Sequence, residues 1–337
     1  MISVVVVNWN RRELLRACLR SLAAQTAAAD VEVIVVDNGS SDGSAAVALE
    51  CLPSAQVIEN KENLGFCAAN NQGIRVARGE FVALLNNDAE ADAGWLHALL
   101  SAFEEPRIGM VASKVLVHED PARIDKVGHL IYPDGQNRGR GAGEVDRGQY
   151  DRREPALWPD GCAAMYRKAM LDEIGGFDED FFAYGDDAEL GLRARIAGWD
   201  CVYEPTARVR HHRGQTLGMA SARRIALIER NRILLAAKLF PWRWLLATPF
   251  YFALRVAAGL WAAARNRGET KHYPGVSGKV RLAAGLLRGN LAALPMLPRI
   301  LAKRKEIARF RKRSDAEVIA LLRQHGISLR EISTQAI

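Results

Sequence analysis

The sequence lacks the features that mark secreted proteins. Its five cysteines are an odd number without C-x-x-C spacing, which indicates reduced thiols in a cytosolic protein rather than a disulfide framework. The opening residues, MISVVVVNWN, contain no basic segment and no small-residue cleavage site. We therefore predict a buried strand at this end of the sequence instead of a signal peptide.

A long uninterrupted apolar run is also missing. The most apolar stretch, residues 233–264, is divided by three basic residues and two prolines: Lys238, Arg243, Arg255, Pro241 and Pro249. Its uncharged pieces are shorter than the roughly 20 residues that a membrane-spanning helix needs. Aromatic and basic residues within such a stretch are typical of helices that lie in a membrane interface, and we predict a helix pair of that kind.

Acidic residues are absent between Glu229 and Glu269, and the charge of the chain is unevenly divided. Residues 1–205 contain 20 basic and 33 acidic side chains, a net charge of −13, whereas residues 206–337 contain 26 and 6, a net charge of +20. We predict a catalytic domain over residues 1–220 and a helical, basic region over residues 221–337. Its apolar content favours an anionic membrane surface over nucleic acid as partner, with a plain helical subdomain as the alternative.

The first 110 residues alternate strand-like and helix-like segments. The run ISVVVVNW is apolar throughout, which is typical of a parallel strand covered on both faces, and RRELLRACLRSLAAQ has helical spacing. This alternation predicts an α/β fold with a parallel sheet. Residues 132–155, in contrast, are polar and glycine-rich and predict a long loop that is either mobile or functional.

Each of the four predicted strands ends in amides or carboxylates. They are Asn8 and Asn10, then Asp37 and Asn38, then residues 60–63, and last Asn86, Asn87 and Asp88. Ligands bind outside the carboxyl ends of the strands in open parallel sheets, so these groups predict a binding site. The alternative is ordinary turn and capping chemistry.

Three further patterns suggest phosphate and acid–base chemistry. Asp88, supported by Asn86 and Asn87, offers part of an oxygen ligand set for Mg²⁺ or Mn²⁺, which a diphosphate would complete. Asp186 and Asp187 stand directly before a predicted helix, as helix caps or as a general base. The pair His211 and His212 closes a strand-like segment and suggests a metal or phosphate contact.

The motifs VVVVNWN, VVDNGSSDGS, NLGFCAANNQGI, LLNNDA, GGFDEDFFAYGDDAELGLRARIAGW and HHRGQT occur in this order. With them the chain resembles the family 2 inverting glycosyltransferases, in particular the bacterial rhamnosyltransferase-like branch, over roughly residues 1–235. The resemblance implies a GT-A fold, a Rossmann-like nucleotide-diphospho-sugar transferase fold. It also implies a nucleotide-sugar donor and a divalent metal.

Carried over motif by motif, the resemblance assigns roles to individual residues. It implies a catalytic base at Asp187 beside Asp186, and metal ligands at Asp88 and His211, the latter in an H-x-x-G-x-T motif with Gly214 and Thr216. It implies nucleotide or donor contacts at Asn8, Asn10, Asp37, Asn63, Gly65, Asn86, Asn87, Asp160 and Gly161. The chain departs from the family where Asn86 and Asn87 replace acids, which weakens the expected metal affinity, and where Asp186 replaces a glutamate.

These expectations combine into an inverting transfer of one sugar, with dTDP-rhamnose as one candidate donor, to a lipid-linked or polysaccharide-precursor acceptor. The expected location is the cytoplasmic face of the membrane, with the chain bound peripherally. Two alternatives stay open. One is a nucleotide-sugar-binding module without activity. The other is an α/β-hydrolase, because GSSDG places Ser41 in a G-x-S-x-G pattern after a strand.

Overall fold

The computed structural model describes residues 1–25, 30–214, 221–265, 273 and 275–334. Its N-terminal part alternates strands and helices in this order: β1 Ile2–Asn8, α1 Arg12–Ala23, β2 Val31–Asp37, α2 Ser44–Cys51, β3 Gln56–Glu59, α3 Phe66–Val76 and β4 Phe81–Leu85. These strands pair in parallel in the order β4-β1-β2-β3. The predicted α/β alternation and parallel sheet are confirmed.

Strand β1 shows why the predicted strands are apolar at nearly every position. Val4 and Val6 belong to the core that includes α1, whereas Val5 belongs to the core on the opposite face, together with α3. Helices therefore cover both faces of the strand, and no face is left for polar side chains. The register aligns Asn8 with Asp37, so the polar ends of β1 and β2 meet at one edge of the sheet.

The chain then continues with further strands and helices, and most of these strands extend the sheet in mixed parallel and antiparallel order. They are β5 Ala89–Ala91, α4 Trp95–Ser101, β6 Ile108–Val117, β7 Ile124–Lys126, β8 His129–Ile131, β9 Asn137–Gly139, β10 Glu154–Pro155, β11 Ala163–Arg167, α5 Lys168–Ile174, α6 Asp186–Ile196 and β12 Asp200–His211. Within the described residues the main sheet runs β10-β12-β6-β11-β4-β1-β2-β3, with β5 on β12 and β7 on β6. Strand β11 is antiparallel to both of its neighbours, while β12 is parallel to β6.

The polar segment 132–155 is held in place by two strands and a buried lysine. Strand β9 pairs with β8, and β10 pairs with β12. The fully buried Lys114 of β6 places its Nζ 2.5 Å from Asp146 and 2.6 Å from Asp151. The predicted long loop thus contains two short strands and is ordered, because the lysine that neutralises its acids comes from a distant strand. A functional role for the segment stays a prediction.

Seven helices follow in the described C-terminal residues: α7 Ala222–Leu239, α8 Trp242–Ala264, α9 Gly275–Ala293, α10 Leu297–Ala302, α11 Arg304–Phe310, α12 Asp315–Gln324 and α13 Leu329–Thr334. Helix α7 ends before Pro241, which has no N–H to continue the helical hydrogen bonds. It packs against α6 and against the 3₁₀ turn Glu179–Phe181. The boundary at residue 220 stays a prediction.

Helix α8 differs from the expectation for the apolar stretch. Pro249 lies inside this 23-residue helix and does not end it. By length and composition alone, α8 is long and apolar enough to cross a membrane, so the expectation of pieces too short to span was wrong. A proline removes only one helical hydrogen bond, and Arg255 is neutralised by ion pairs with Glu229 and Asp134.

Candidate active site

Amide and carboxylate groups at the ends of β1, β2 and β4 are joined by hydrogen bonds. Asn87 Nδ2 donates to Asn8 Oδ1 at 2.6 Å, and Asn8 Nδ2 donates to Asp37 Oδ1 at 3.2 Å. Asp37 also accepts hydrogen bonds from the hydroxyl of Ser40 at 2.5 Å and its backbone amide at 3.0 Å. The predicted convergence of strand ends is confirmed for these residues. Recognition of a nucleotide base by Asp37 stays a prediction.

The loop that leads into α3 is built around one amide and one glycine. Asn63 Oδ1 accepts hydrogen bonds from Asn38 Nδ2 at 3.0 Å and from the amide of Gly65 at 2.9 Å. Gly65 has a φ of +89°, and a Cβ there would lie 2.4 Å from the ring of Phe182. A side chain at residue 65 would therefore displace the segment that precedes Asp186.

His211, at the end of β12, lies between two carboxylates. Its Nδ1 is 2.8 Å from Asp125 Oδ2, and its Nε2 is 3.4 Å from Asp88 Oδ1. Burial alone would lower the pKa of His211, but its contacts with Asp125 and Asp88 raise that pKa to about 9. Burial opposes ionisation of Asp88 as well, yet the contact with His211 holds its pKa below the usual value. The site thus favours a positive charge between these two carboxylates.

A second charged cluster surrounds Asp160, which follows β10. Lys126 Nζ is 2.9 Å from Asp160 Oδ2, and His129 Nε2 is 3.0 Å from the same oxygen. The other oxygen accepts a hydrogen bond from the Cys162 amide at 2.9 Å. Burial would raise the pKa of Asp160, but the charges of Lys126 and His129 hold it well below its usual range. Asp160 is therefore a fixed negative charge.

Asp186 and Asp187 begin α6 and have the opposite electrostatic character. Burial raises the pKa of Asp187, and the nearby His129, whose Nε2 is 3.4 Å from Asp187 Oδ2, opposes that rise only in part. Burial and the charge of Asp187 together raise the pKa of Asp186 well above its usual value. The pKa values of Asp160 and Asp187 are thus shifted in opposite directions. Such pairs of neighbouring carboxyl groups are typical of acid–base catalysis.

The segment before the two aspartates is held by the C-terminal region. Asn231 of α7 donates through Nδ2 to the carbonyl oxygens of Phe181 at 2.9 Å and Tyr184 at 2.5 Å. Phe182 and Tyr184 have φ values of +63° and +69°. This is the left-handed region of backbone conformation, which residues other than glycine rarely adopt. Such backbone needs outside support, and α7 supplies it directly before the aspartates.

One cavity of about 790 Å³ connects these groups. Most of the predicted site residues line it: Asn63, Gly65, Asn86, Asn87, Asp88, Asp160, Gly161, Asp186, Asp187 and His211. Asn8, Asn10 and Asp37 are not among its lining residues, and their predicted nucleotide contacts are not tested by this geometry. Thr216 of the H-x-x-G-x-T motif lies outside the described residues. The volume is within the roughly 300–1,000 Å³ of ligand-binding pockets.

Among the cavity residues that sequence reasoning missed are three that lie beside the predicted carboxylates and His211. Asp125 and Lys126 lie on β7, and His129 lies on β8. Both strands have three residues and no alternating pattern, so nothing local distinguishes them from a loop. The clustering of an acid, a base and a histidine within five positions was the signal that could have found them.

Two sets of cavity side chains could hold a divalent cation. Asp88 and His211 offer a carboxylate oxygen and an imidazole nitrogen, donors that suit Mn²⁺. The second set has ligand atoms within 4.8 Å of one another: His129, Asp160 and Asp187. Because the ammonium group of Lys126 already contacts Asp160, a cation there would be repelled, and the first set fits a metal better.

A parallel half-sheet followed by antiparallel strands, with the charged groups at their junction, is the arrangement of the GT-A nucleotide-diphospho-sugar transferases. The mannosyltransferase PcManGT from Pyrobaculum calidifontis, solved in complex with GDP-Man and Mn²⁺, superposes with a TM-score of 0.54. The match has 19% sequence identity and covers 95% of this chain and 86% of that one, which supports the fold.

Sequence comparison gives the family. The model of Glycosyl transferase family 2 matches residues 3–175, and the chain belongs to that family. The hydrolase alternative is thereby excluded. In agreement, Ser41 does not line the cavity that contains Asp187 and His211.

Two curated relatives are rhamnosyltransferase-like or act in surface polysaccharide synthesis. The N-acetylglucosaminyl-diphospho-decaprenol L-rhamnosyltransferase of Mycobacterium tuberculosis is 29% identical over 262 residues, 70% of this chain and 84% of its own length. The O-antigen biosynthesis protein RfbC of Myxococcus xanthus is 29% identical over 263 residues, 74% of this chain. The chain spans only 20% of the RfbC protein, so the activity of that whole protein does not transfer directly.

Proposed function

We propose that the chain transfers one sugar from a nucleotide-diphosphate donor to a hydroxyl of a lipid-linked or polysaccharide-precursor acceptor, with inversion at the anomeric carbon. The observation that carries this proposal is that Asp187 and the Asp88–His211 pair line the same cavity. A base and a diphosphate-binding pair within one cavity are what a single displacement requires.

In the proposed reaction, Asp187 accepts the proton of the acceptor hydroxyl. The acceptor oxygen bonds to the anomeric carbon as the bond from that carbon to the diphosphate breaks on the opposite face. The nucleoside diphosphate departs and the proton stays on Asp187. Burial supports this role because it raises the pKa of Asp187 and so strengthens it as a base.

The donor end of the cavity would carry the leaving group. A divalent cation, Mn²⁺ or Mg²⁺, held by Asp88 and His211 would neutralise charge on the departing diphosphate. Metal binding would replace the proton that His211 holds, so affinity should rise as pH rises. Asn86 and Asn87 stand where the family has acids, and we therefore expect weak metal binding.

The name of the mycobacterial relative, a diphospho-decaprenol L-rhamnosyltransferase, supports rhamnose as a candidate sugar and a diphosphate-linked lipid as acceptor. The surface of α8 supports a membrane location, because Trp242, Leu246 and Phe250 are spaced by four residues and 54%, 79% and 63% exposed. Residues 206–337 also carry a net charge of +20, which would attract an anionic surface. We therefore propose that the chain binds peripherally to the cytoplasmic face of the membrane.

The proposal can be tested by measuring the release of nucleoside diphosphate from a panel of nucleotide sugars, with Mn²⁺ and with Mg²⁺. We expect Asp187→Asn to lower turnover by about 10³-fold while donor affinity, measured by calorimetry, changes by less than about two-fold. Asp172→Asn, on the exposed side of α5, is the matched control and should behave as wild type.

The panel also decides between the enzyme and a binding module without activity. A wild-type chain that binds a nucleotide sugar but releases no diphosphate with any acceptor or metal would favour the binding module. An Asp187→Asn variant with normal turnover would contradict the assignment of the base alone.

A further inference from the structure

Three C-terminal helices enclose a space beside the catalytic groups. Helices α7 and α9 pack closely, since a Cβ at Gly285 or Gly289 would lie 3.1 Å or 2.5 Å from the carbonyl oxygens of Ala222 and Ala226. Helix α8 is attached to α7 through Arg255, whose guanidinium is 2.9 Å from Glu229. Helices α7 and α9 are thus close together, whereas α8 is joined to α7 through the long side chain of Arg255. A gap remains between the three helices.

That gap belongs to the cavity that contains Asp187. Apolar side chains from all three helices line it: Ile228, Leu235, Val256, Leu260, Leu282 and Leu286. The catalytic residues supply the polar part of the same lining. The diphosphate and the sugar hydroxyls of a nucleotide sugar are polar, and the donor has no long apolar chain that would match a lining contributed by three helices.

The apolar part of the cavity opens towards the exposed apolar surface of the protein. Leu260 lines the cavity and is 68% exposed, which places it at the opening. Trp261 of α8 and Val280 and Leu287 of α9 are also 50% to 62% exposed. An apolar chain could therefore pass from a membrane surface into the cavity without crossing a polar layer.

Basic side chains accompany this part of the lining. Arg223 and Arg224 are in the first turn of α7, and Lys279 is in α9. Helix N-termini and basic side chains both favour phosphate groups. The cavity therefore combines a base, cations and an apolar lining.

Resting on the proposed function, we propose that the space between α7, α8 and α9 binds the hydrocarbon chain of an isoprenoid diphosphate acceptor. The diphosphate would contact Arg223, Arg224 and Lys279, and the sugar hydroxyl attached to it would then reach Asp187. The C-terminal helices are in this view an acceptor-binding site as well as a surface for the membrane.

Gly259 of α8 offers a test by obstruction. It lines the cavity, and a Cβ there meets no described atom within 4 Å, so Gly259→Trp can fill the space without a backbone clash. Ala257→Trp is the matched control, because Ala257 is exposed on the same helix and does not line the cavity. The probe is farnesyl diphosphate carrying a photoreactive benzophenone, with labelled peptides identified by mass spectrometry.

We expect labelling within α7, α8 and α9 in wild type, with affinity reduced on the order of ten-fold in Gly259→Trp and unchanged in Ala257→Trp. Inorganic diphosphate should compete more weakly than farnesyl diphosphate. Equal labelling of both variants, or equal competition by the two diphosphates, would overturn the proposal and favour a soluble glycan acceptor.

Two measurements keep this test independent of the proposed function and of folding. Labelling needs no turnover, so a wild type that binds the probe but releases no nucleotide diphosphate would refute only the transferase activity. Thermal unfolding and donor binding monitor the fold of Gly259→Trp. If that variant does not fold, Leu282→Gln, which places an amide in the apolar lining, should weaken labelling by a similar factor.

Discussion

The strands of the sheet and the C-terminal helices place their charged residues in different ways. In the sheet, apolar residues such as Val4 and Leu84 are buried, and ionisable groups gather at the strand ends around one cavity. In the helical region, apolar residues such as Leu246 face outward, and buried ions join the helices to the rest of the protein. Lys238 of α7, for example, lies 2.6 Å from both Asp178 and Glu189.

This difference suggests a division of tasks. Charges in the sheet region shift each other's pKa values and prepare chemistry, as those of Asp160 and Asp187 do. Charges in the helical region form fixed pairs between elements, which leaves the apolar surface of α8 and α9 available for other contacts. The division can be tested by changing one kind of charge at a time.

Between the two regions, the larger effect on turnover is expected in the sheet region, at Asp88. Asp88→Asn removes the carboxylate beside Nε2 of His211 that would share a metal with that nitrogen, and we expect turnover to fall about 100-fold at saturating donor. A chelator should reduce wild-type activity to a similar level, with recovery on adding Mn²⁺. Stability, measured by urea unfolding, should fall less than it does for Asp178→Asn below, because His211 keeps its contact with Asp125. Full activity of Asp88→Asn in the presence of chelator would show that no metal acts at this site.

The ion pairs that attach the helical region to the rest of the protein should affect stability instead. Asp178 pairs with Lys238 and Lys303, each at 2.6 Å, and although burial opposes ionisation these lysines lower its pKa to about 2. Relative to an unfolded pKa near 3.9, the shift contributes about 3 kcal/mol. We expect Asp178→Asn to lower the free energy of unfolding by at least this amount.

The pH dependence of that contribution has a definite sign. Because the folded pKa is depressed, the stabilisation is present above about pH 4 and is lost as pH falls through about 2. Urea unfolding between pH 2 and 5 should therefore show a steeper acid loss for wild type than for Asp178→Asn. Parallel curves for the two proteins would mean that the ion pairs with Lys238 and Lys303 do not stabilise the fold.

The smallest effect concerns the outward apolar surface. Replacing Leu246 and Phe250 of α8 by glutamate should weaken binding to anionic vesicles about ten-fold, since both lost apolar area and added negative charge oppose binding. Leu49→Glu, at an exposed leucine of α2, is the control and should leave vesicle binding unchanged. Release of nucleotide diphosphate from a soluble donor should not change in either variant. Equal loss for the control would assign the membrane contact to another face.

The sequence predicts those parts of the molecule that carry their own local pattern. Strands β1, β2 and β4 are recognisable because coverage on both faces makes them apolar at most positions. Asp88, Asp187 and His211 are found because each belongs to a motif at the end of a strand or the start of a helix. The predicted parallel order explains only why Asp88 lies at the ligand-binding edge of the sheet; Asp187 and His211 reach the cavity through α6 and β12, whose positions the sequence did not predict.

Other parts depend on partners that are distant in the sequence. Strands β7 and β8 are defined by pairing with β6 and β9 rather than by their own residues, so Lys126 and His129 were not predicted. The segment 132–155 is ordered by Lys114, more than twenty residues away in the chain. Helix α8 continues through Pro249 although local propensity favours a break.

The hydrogen bonds of Asn231 have a practical consequence for protein engineering. A fragment ending at residue 220 would contain every aspartate and histidine of the site but would lose the amide that holds the backbone of Tyr184. The same applies to chimeras in which the last third of the chain is exchanged between relatives. Such hybrids should keep their donor specificity only if the incoming helix also brings an amide to that backbone.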